Sequence, residues 1–594
     1  MKTCSLTPFV AVLAVASLSL ASAQDTLRRV RVDADDAEAL AAAFLAEGRD
    51  VLEGTVEPGS LELVVSVQEL GELERLGYAP ELLEVGQPFR DKQAADGGTV
   101  GYPDLAQVYA DMATYAATYP EIATIVDLTA TYGTPPTVEG RHIFAMKISD
   151  NVDVDEDEPE LLVVSCHHSR ETVTPVIALT LMDLWLPLYG NSPAITDAID
   201  EHELWVVPIW NPDGYVHVFE VDNLWRKNRR VFPGGIGVDL NRNYPQGWSD
   251  PCSGSTDPSS SIYKGPAPAS EAETLTMMAF SEDRHFAKTL DFHSSGQEVL
   301  WGYACLPHPF DDFFLSEAID LSFACGYQGE ERRPSAEGEH YEWQFAQEGG
   351  HAFLVETATE FQPAFATAEA EAAQVLFGVL WMAQREVPIS GVVTDACTGA
   401  PLEADVELVG VNFTQGESNE SRGPYGRYHV FAPAGNYTLS FSRPGYATQE
   451  VLVTVTAGTP VAQDVALQAI ASAAVLGPLQ PGTKLTLDIG APADANQLYF
   501  AAAGLSGTSP GIPVGGCNLP LNPDFFALLS AASQPPFSGF NGVLDGTGQA
   551  MASIDLPDDP VIAGLEMDLA FVTVDAQSGA LLHPSNAAHA TIQP

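Results

Sequence analysis

The sequence predicts an α/β domain whose sheet carries helices on both faces, with a small α+β unit before it and two all-β modules behind it. Three observations carry that prediction. From Tyr102 to Arg385 helical and strand periodicities alternate, the pattern of a sheet joined by helical connections. Ahead of this region, residues 25–95 read strand, helix, strand, helix. Beyond Arg385 the helical periodicity stops, and short β-rich runs separated by Gly, Pro and Asn turns replace it. A chain of 594 residues is too long for one core. The expected divisions are 1–23, 24–98, 99–386, 387–469 and 470–594.

Taken in order, Lys2, the apolar stretch Phe9–Leu20 and Ala21-Ser22-Ala23 before Gln24 form a secretory signal with an A-x-A cleavage site. No later apolar run approaches the ~18 residues that span a bilayer, so an exported, soluble chain is expected. Arg28–Val32 alternates, Ala37–Ala46 is helical, Glu62–Val67 is strand-like, and Val67–Leu76 turns helical again. A polar run, Arg90 to Gly98, then breaks the pattern. Next come a helix at Leu105–Tyr119, strands at Ala123–Leu128, Ile143–Ile148 and Leu161–Ser165, a helix at Pro175–Leu188 and a strand at Glu203–Ile209. Residues 388–468 read as a small sandwich, and 474–594 as a further β module with strands such as Lys484–Ile489 and Leu569–Val574.

Acidic residues number 80 against 26 basic, a formal charge of −54. That excludes nucleic acid and anionic membranes as partners, since both need a cationic surface. It suits a soluble exoprotein and invites divalent cations. With Cys4 in the leader, cysteines 166, 252, 305, 325, 397 and 517 remain, in a location that permits disulfides. Cys305 and Cys325 are expected to pair, and Cys166 to be a packed thiol.

The chemistry centres on Ser165–Pro175, read SCHHSRETVTP, directly after an apolar strand. His168 and Glu171, three residues apart at a strand-to-helix corner, can reach one volume as two ligands of a divalent metal. A catalytic zinc takes three such protein ligands and keeps a position open for water. Alone, H-x-x-E is a weak signal. Downstream, in order, stand Asn211-Pro212-Asp213-Gly214, Leu224-Trp225-Arg226-Lys227, Asp239-Leu240-Asn241-Arg242-Asn243, Phe292-His293-Ser294 and Phe353-Leu354-Val355-Glu356. This ordered set resembles the zinc carboxypeptidase family, the carboxypeptidase A and B group, and is most similar to its secreted bacterial branch typified by carboxypeptidase T. The resemblance covers about Tyr102 to Arg385, and residues 388–468 resemble the transthyretin-like regulatory module found behind many such enzymes.

The resemblance implies a mixed-sheet catalytic domain, with His168, Glu171 and His293 as zinc ligands. His167 could compete, but His168 has the spacing to Glu171, and alternation turns His167 the other way. Glu356 is implied as the general base toward a zinc-activated water, with Glu360 the weaker candidate. Arg226 is implied to stabilise the oxyanion. Asn241 and Arg242 would grip the substrate's terminal carboxylate, where a planar guanidinium gives bidentate recognition. Arg170 would line the same pocket, or make a structural salt bridge. The family's substrate-capping tyrosine falls at Pro334 here, and Tyr341 falls where the side-chain pocket is shaped, which argues against a strongly charged preference.

Hard oxygens are dense from Ser149 to Glu160, and the bacterial branch binds calcium nearby. Asp153, Asp155, Glu156, Asp157 and Glu160 are therefore candidate calcium ligands. The α+β unit before an exported hydrolase reads as a propeptide covering the active site, or as a permanent N-terminal domain. The expected function is a secreted, monomeric zinc metallocarboxypeptidase acting on peptides and proteins with a free C-terminus. The alternatives are an enzyme of the same fold cutting another amide, such as a cell-wall peptide, and a non-catalytic secreted binding protein.

Overall fold

The computed structural model describes residues 26–95 and 101–594; the leader at 1–23 and part of the linker lie outside the described residues. The central sheet runs, edge to edge, through Glu331–Arg332, Glu298–Leu300, His351–Thr357, Lys288–Ser294, Glu160–Ser165, Glu203–Val207, Phe144–Ile148 and Ala123–Asp127. Its middle four strands are mutually parallel, and antiparallel strands flank them on both sides, so the sheet is mixed.

Every residue of Glu160–Ser165 is buried, as is every residue of Glu203–Val207 and Lys288–Ser294. Strands covered on both faces read as unbroken apolar runs rather than alternating ones. The period of two still sorts their side chains. Leu161 and Val163 enter the large core beneath the helices Val173–Leu188 and Phe365–Gln384. Leu162 and Val164 enter the opposite core with Met277 and Phe280 of the helix Ala272–Arg284. Both faces are thus sealed, and the carboxyl ends of the parallel strands are where loops gather to make a site.

The N-terminal unit is an antiparallel sheet, Asp50–Val51, Ser60–Val65, Arg28–Asp33 and Glu81–Val85, with its own core under Phe44 and Leu73 of the helices Ala37–Ala46 and Val67–Arg75. The helix Phe89–Ala95, absent from the sequence reading, seats Phe89 against Tyr102 and Phe219. Residues 389–467 form two β-sheets around Ile389, Tyr428 and Phe441. Behind them, residues 472–591 build further sheets around Leu487, Tyr499 and Phe571.

The expected Cys305–Cys325 pairing is corrected: Cys252 bonds Cys305, Cys397 bonds Cys517, and Cys166 and Cys325 are free and buried. Cys325 caps the helix Asp311–Ala324 and faces Gly378 of the long helix behind it, whereas Cys305 lies in an exposed loop. Among the described residues no single helix is long and apolar enough to cross a membrane.

Candidate metal centre and catalytic site

The corner after Glu160–Ser165 is held by backbone bonds from Trp210 N to the Ser165 carbonyl and from Asn211 N to the Cys166 carbonyl. Asn211 also donates its amide to the His167 carbonyl at 3.2 Å, while its carbonyl oxygen caps the helix Pro212–Glu220 through Gly214 N. Cys166 adopts a left-handed φ of 64°, which turns the chain so that the next side chains splay apart. His167 points into the interior, between Asp291 Oδ1 and the Tyr244 hydroxyl, each at 3.1 Å. His168 points to the sheet's carboxyl edge.

There the donor atoms converge. His168 Nδ1 lies 2.8 Å from Glu171 Oε1 and 3.0 Å from His293 Nδ1, and His293 Nδ1 lies 3.2 Å from Glu171 Oε2. Two nitrogens and a carboxylate bound at 2.0–2.1 Å around a tetrahedral ion would stand about 3.3 Å apart. The observed spacings are close to that edge, so the donor set fits zinc in both chemistry and size. Each ligand is steadied from behind. Asp239 Oδ1 lies 3.1 Å from His168 Nε2, Asp291 Oδ1 lies 3.2 Å from His293 Nε2, and Ser294 N donates to Glu171 Oε2 at 3.2 Å. Burial opposes the charge of Glu171, but His168 and His293 hold its carboxyl well below the usual range.

A second buried group, His167, Asp291 and His340, also brings three donor atoms together. Its remaining ring nitrogens are already met by Tyr244 Oη at 3.1 Å and Gln344 Nε2 at 3.0 Å. That network reads as support behind the first group.

Register places the acid. Parallel pairing sets His293 opposite Glu356 on the neighbouring strand, so both project on one face at the same height. Glu356 Oε2 is buried with no hydrogen-bond partner among the described residues. With no cation at the neighbouring donor set, burial and nearby Glu171 push its carboxyl up to about 8, against the pull of His293 and Arg332; a divalent cation held there would offset Glu171 and favour the carboxylate, the form that can take up a proton. Glu360 is exposed beyond the strand end.

Arg226 donates through Nε and Nη2 to Asp239 Oδ2 at 3.0 and 2.9 Å, and Arg242 donates through Nη1 to Glu339 Oε1 at 2.7 Å. Asn241 Oδ1 accepts from His340 N at 2.8 Å. The basic run after Trp225 is no solvated face: Lys227 donates to the Pro258 and Ser260 carbonyls, and Arg230 pairs with Glu271. Arg170 is buried and bidentate to Asp50 of the N-terminal unit, at 2.5 and 2.8 Å. One cavity is lined by His168, Glu171, His293, Arg226, Arg242 and Glu356, and its far wall is Val51, Leu52 and Glu53. Tyr341 does not line it: the helix His340–Gln347 turns that side chain inward, where its hydroxyl donates to the Gly302 carbonyl at 3.0 Å.

The candidate calcium ligands are not gathered into one group. Asp155 and Glu160 cluster with Glu203, and Glu156 clusters with Asp150 and Glu158, while Asp153 and Asp157 join neither group among the described residues. Arg284 lies 3.2 Å from Asp155, and Arg427 lies 2.6 Å from Asp157, so cations of the chain already neutralise part of this loop.

Asp239, Asp50, Glu53, Arg332 and Glu339 were not singled out by sequence reasoning. Asp239 had a signal, because it opens the Asp239–Asn243 run. The others had none, since each gains meaning only from a contact distant in sequence.

Over this region the chain is similar to known proteins. Residues 108–366 match the zinc carboxypeptidase family, and residues 388–468 match the carboxypeptidase regulatory-like domain. A metallocarboxypeptidase A of Trichophyton rubrum is 33% identical over 182 residues, which are 29% of this chain and 43% of that protein. Carboxypeptidase A2 of Rattus norvegicus is 31% identical over 217 residues, 36% of this chain and 49% of that protein. The chain thus spans just under half the length of these relatives. The solved carboxypeptidase A of Helicoverpa armigera aligns with 60% of this chain and 96% of its own at 22% identity, with a TM-score of 0.49. The candidate site thus lies within the residues, 108–366, that are similar to the zinc carboxypeptidase family, and the stretch similar to the carboxypeptidase regulatory-like domain, 388–468, follows directly behind them.

Proposed function

We propose that this chain is a secreted metallocarboxypeptidase that removes the C-terminal residue of peptides and proteins. The observation that carries this is the meeting of His168, Glu171 and His293 within 2.8–3.2 Å, with Glu356 in register beside them. Zinc, when bound to those three side chains, supplies Lewis acidity to the attacking water and the scissile carbonyl. Glu356 Oε2, buried and unpartnered, accepts the proton of the attacking water and returns it to the leaving amine. Arg226, fixed by both of its bonds to Asp239, holds positive charge beside the carbonyl where negative charge develops. Asn241, Arg242 and Arg170 bind the terminal carboxylate, which makes the enzyme an exopeptidase.

In this reading residues 1–23 direct export, and the protein acts as a monomer. Residues 24–98 are a propeptide whose segment Asp50–Glu53 fills the substrate's place. Asp50 occupies Arg170 as a substrate carboxylate would. Trypsin, cutting near Arg90 or Lys92, is expected to raise the activity of the full chain; an unchanged activity after complete cleavage speaks for a permanent domain.

The deciding assay sets peptides with free against amidated C-termini, with and without a zinc chelator, on wild type and Glu356→Gln. Cleavage is expected only of free C-termini, reversed by chelation and reduced at least ~10³-fold in the variant. Equal cleavage of amidated peptides would replace this reading with hydrolysis of another amide.

A further inference from the structure

The short strand Glu331–Arg332 pairs parallel to Glu298–Leu300 at the edge of the central sheet. It brings Arg332 into the same cavity as His168, Arg226 and Glu356. Arg332 Nε donates to Glu298 Oε1 at 2.8 Å, which fixes the plane of its guanidinium from the protein side. Its Nη1 lies 3.1 Å from Glu53 Oε2 of the N-terminal unit. The other oxygen of Glu53 accepts from Ser335 Oγ at 2.8 Å. Asp50 and Glu53, three residues apart, therefore set one carboxylate on each of two arginines in the wall of the site, Arg170 and Arg332. When that segment leaves, Arg170 loses the carboxylate that neutralises it. Arg332 keeps Glu298 at Nε and the Arg333 carbonyl, 3.2 Å from Nη1, which leaves the second hydrogen of Nη1 and those of Nη2 for an incoming anion.

A guanidinium pre-oriented in this way, with a hydrogen left on each Nη once Glu53 has gone, is a carboxylate receptor, because both outer nitrogens can donate to the two oxygens of one anion. We infer that Arg332 is a substrate-binding residue, which receives a peptide carboxylate at the place Glu53 holds in the covered chain. The inference rests on the carboxypeptidase reading above and deepens it by naming a group that reads the substrate. The carboxylate has two sources, the substrate's own C-terminus and an acidic side chain next to the cleaved residue, and the test separates them.

Full chain nicked by trypsin is compared as wild type, Arg332→Gln and Arg332→Lys, on two peptides that differ only in Glu or Gln at the penultimate position. Arg332→Gln is expected to raise KM roughly tenfold with kcat within about twofold, the size of a lost charge-assisted bond. Arg332→Lys, a point charge at the same place, recovers part of the loss. A loss confined to the Glu peptide identifies the side chain as the source; an equal loss on both identifies the terminal carboxylate. An unchanged KM on both peptides overturns the inference. So does a fall in kcat alone, which marks an effect passed through Glu298 to Glu356.

A second measurement needs no turnover. Succinate titrated calorimetrically into un-nicked full chain is expected to bind at least about fivefold more tightly to Glu53→Gln than to wild type. Adding Arg332→Gln to that variant should remove the gain. Equal succinate affinity in wild type and Glu53→Gln overturns the inference, whereas failure of the nicked wild type to cleave either peptide with the succinate result intact overturns only the carboxypeptidase reading.

Discussion

Arg170 and Asp50 show how much one contact can decide. Both are buried, and their bidentate pairing joins the N-terminal unit to the catalytic domain. Removing one partner of such a pair leaves an unneutralised charge in the interior, typically a loss of 3–5 kcal/mol. Asp50→Asn is therefore expected to loosen the N-terminal unit, measured as faster trypsin cleavage near Arg90 and higher activity before cleavage. At the proposed metal centre, His168→Ala and His293→Ala each remove one of the three candidate ligands. Zinc content after dialysis should fall from one equivalent toward none, while Asp239→Asn, which leaves the ligands in place, should weaken zinc by about 10–100-fold in a chelator competition. His168, Glu171, His293 and Glu356 could be singled out because the ordered motifs that carry them resemble those of a known family; a place at the end of an apolar strand was by itself a weak signal. Asp50 and Arg332 were not, since an acid after a helix and an arginine in a short edge strand look like ordinary surface residues.

The sheet register does at the element scale what spacing cannot. His293 and Glu356 are neighbours because Lys288–Ser294 and His351–Thr357 pair in parallel with those two residues aligned. A slip of one residue would turn one of the pair to the other face. In the N-terminal unit, the helix Val67–Arg75 opens on a capping box, in which Ser66 accepts from Glu69 N and Glu69 accepts from Ser66 N. Ser66→Ala is expected to cost about 1 kcal/mol, read as a lowered unfolding midpoint of that unit with peptide cleavage by the nicked chain unaltered. The turn Glu53–Thr55 approaches the site so closely that a Cβ at Gly54 would stand 2.6 Å from the Ser295 carbonyl oxygen. Gly54→Ala should push the turn away, at about 1–3 kcal/mol, and speed trypsin cleavage as Asp50→Asn does. The helices Leu105–Thr118 and Val173–Leu188 and the strands Ala123–Asp127, Phe144–Ile148, Glu160–Ser165 and Glu203–Val207 were legible from period and breakers. The later helices Ala272–Arg284, Asp311–Ala324 and Phe365–Gln384 were not assigned, nor were Glu81–Val85, which exposes most of its side chains, and Phe89–Ala95, a short polar helix made stable by Phe89.

At the scale of the whole molecule, the last two β regions are joined by the Cys397–Cys517 disulfide and by a buried ion cluster at their junction. His583 Nε2 lies 2.6 Å from Asp395 and its Nδ1 lies 2.8 Å from Asp494. Burial lowers the imidazole's affinity for a proton, but the two carboxylates more than offset it and raise the pKa to about 9. A group whose pKa is higher folded than unfolded stabilises below its unfolded value near 6.5, and that stability is lost as pH rises through about 9. The C-terminal module should thus loosen between about pH 7 and 9.5, seen as faster hydrogen exchange of Leu581–Pro584, most of all after reduction of the disulfide. His583→Gln should be less stable at neutral pH and lose that pH dependence. The sequence by itself determined the order of α+β, α/β and all-β regions, because periodicity is a local property of a chain, and its ordered motifs, through their resemblance to a known family, named the candidate metal and acid residues. Only the tertiary structure decided which cysteines pair, which carboxylates neutralise Arg170 and Arg332, and how the modules are clamped together, because those interactions join side chains far apart in sequence whose energies exist only once packing has excluded water between them.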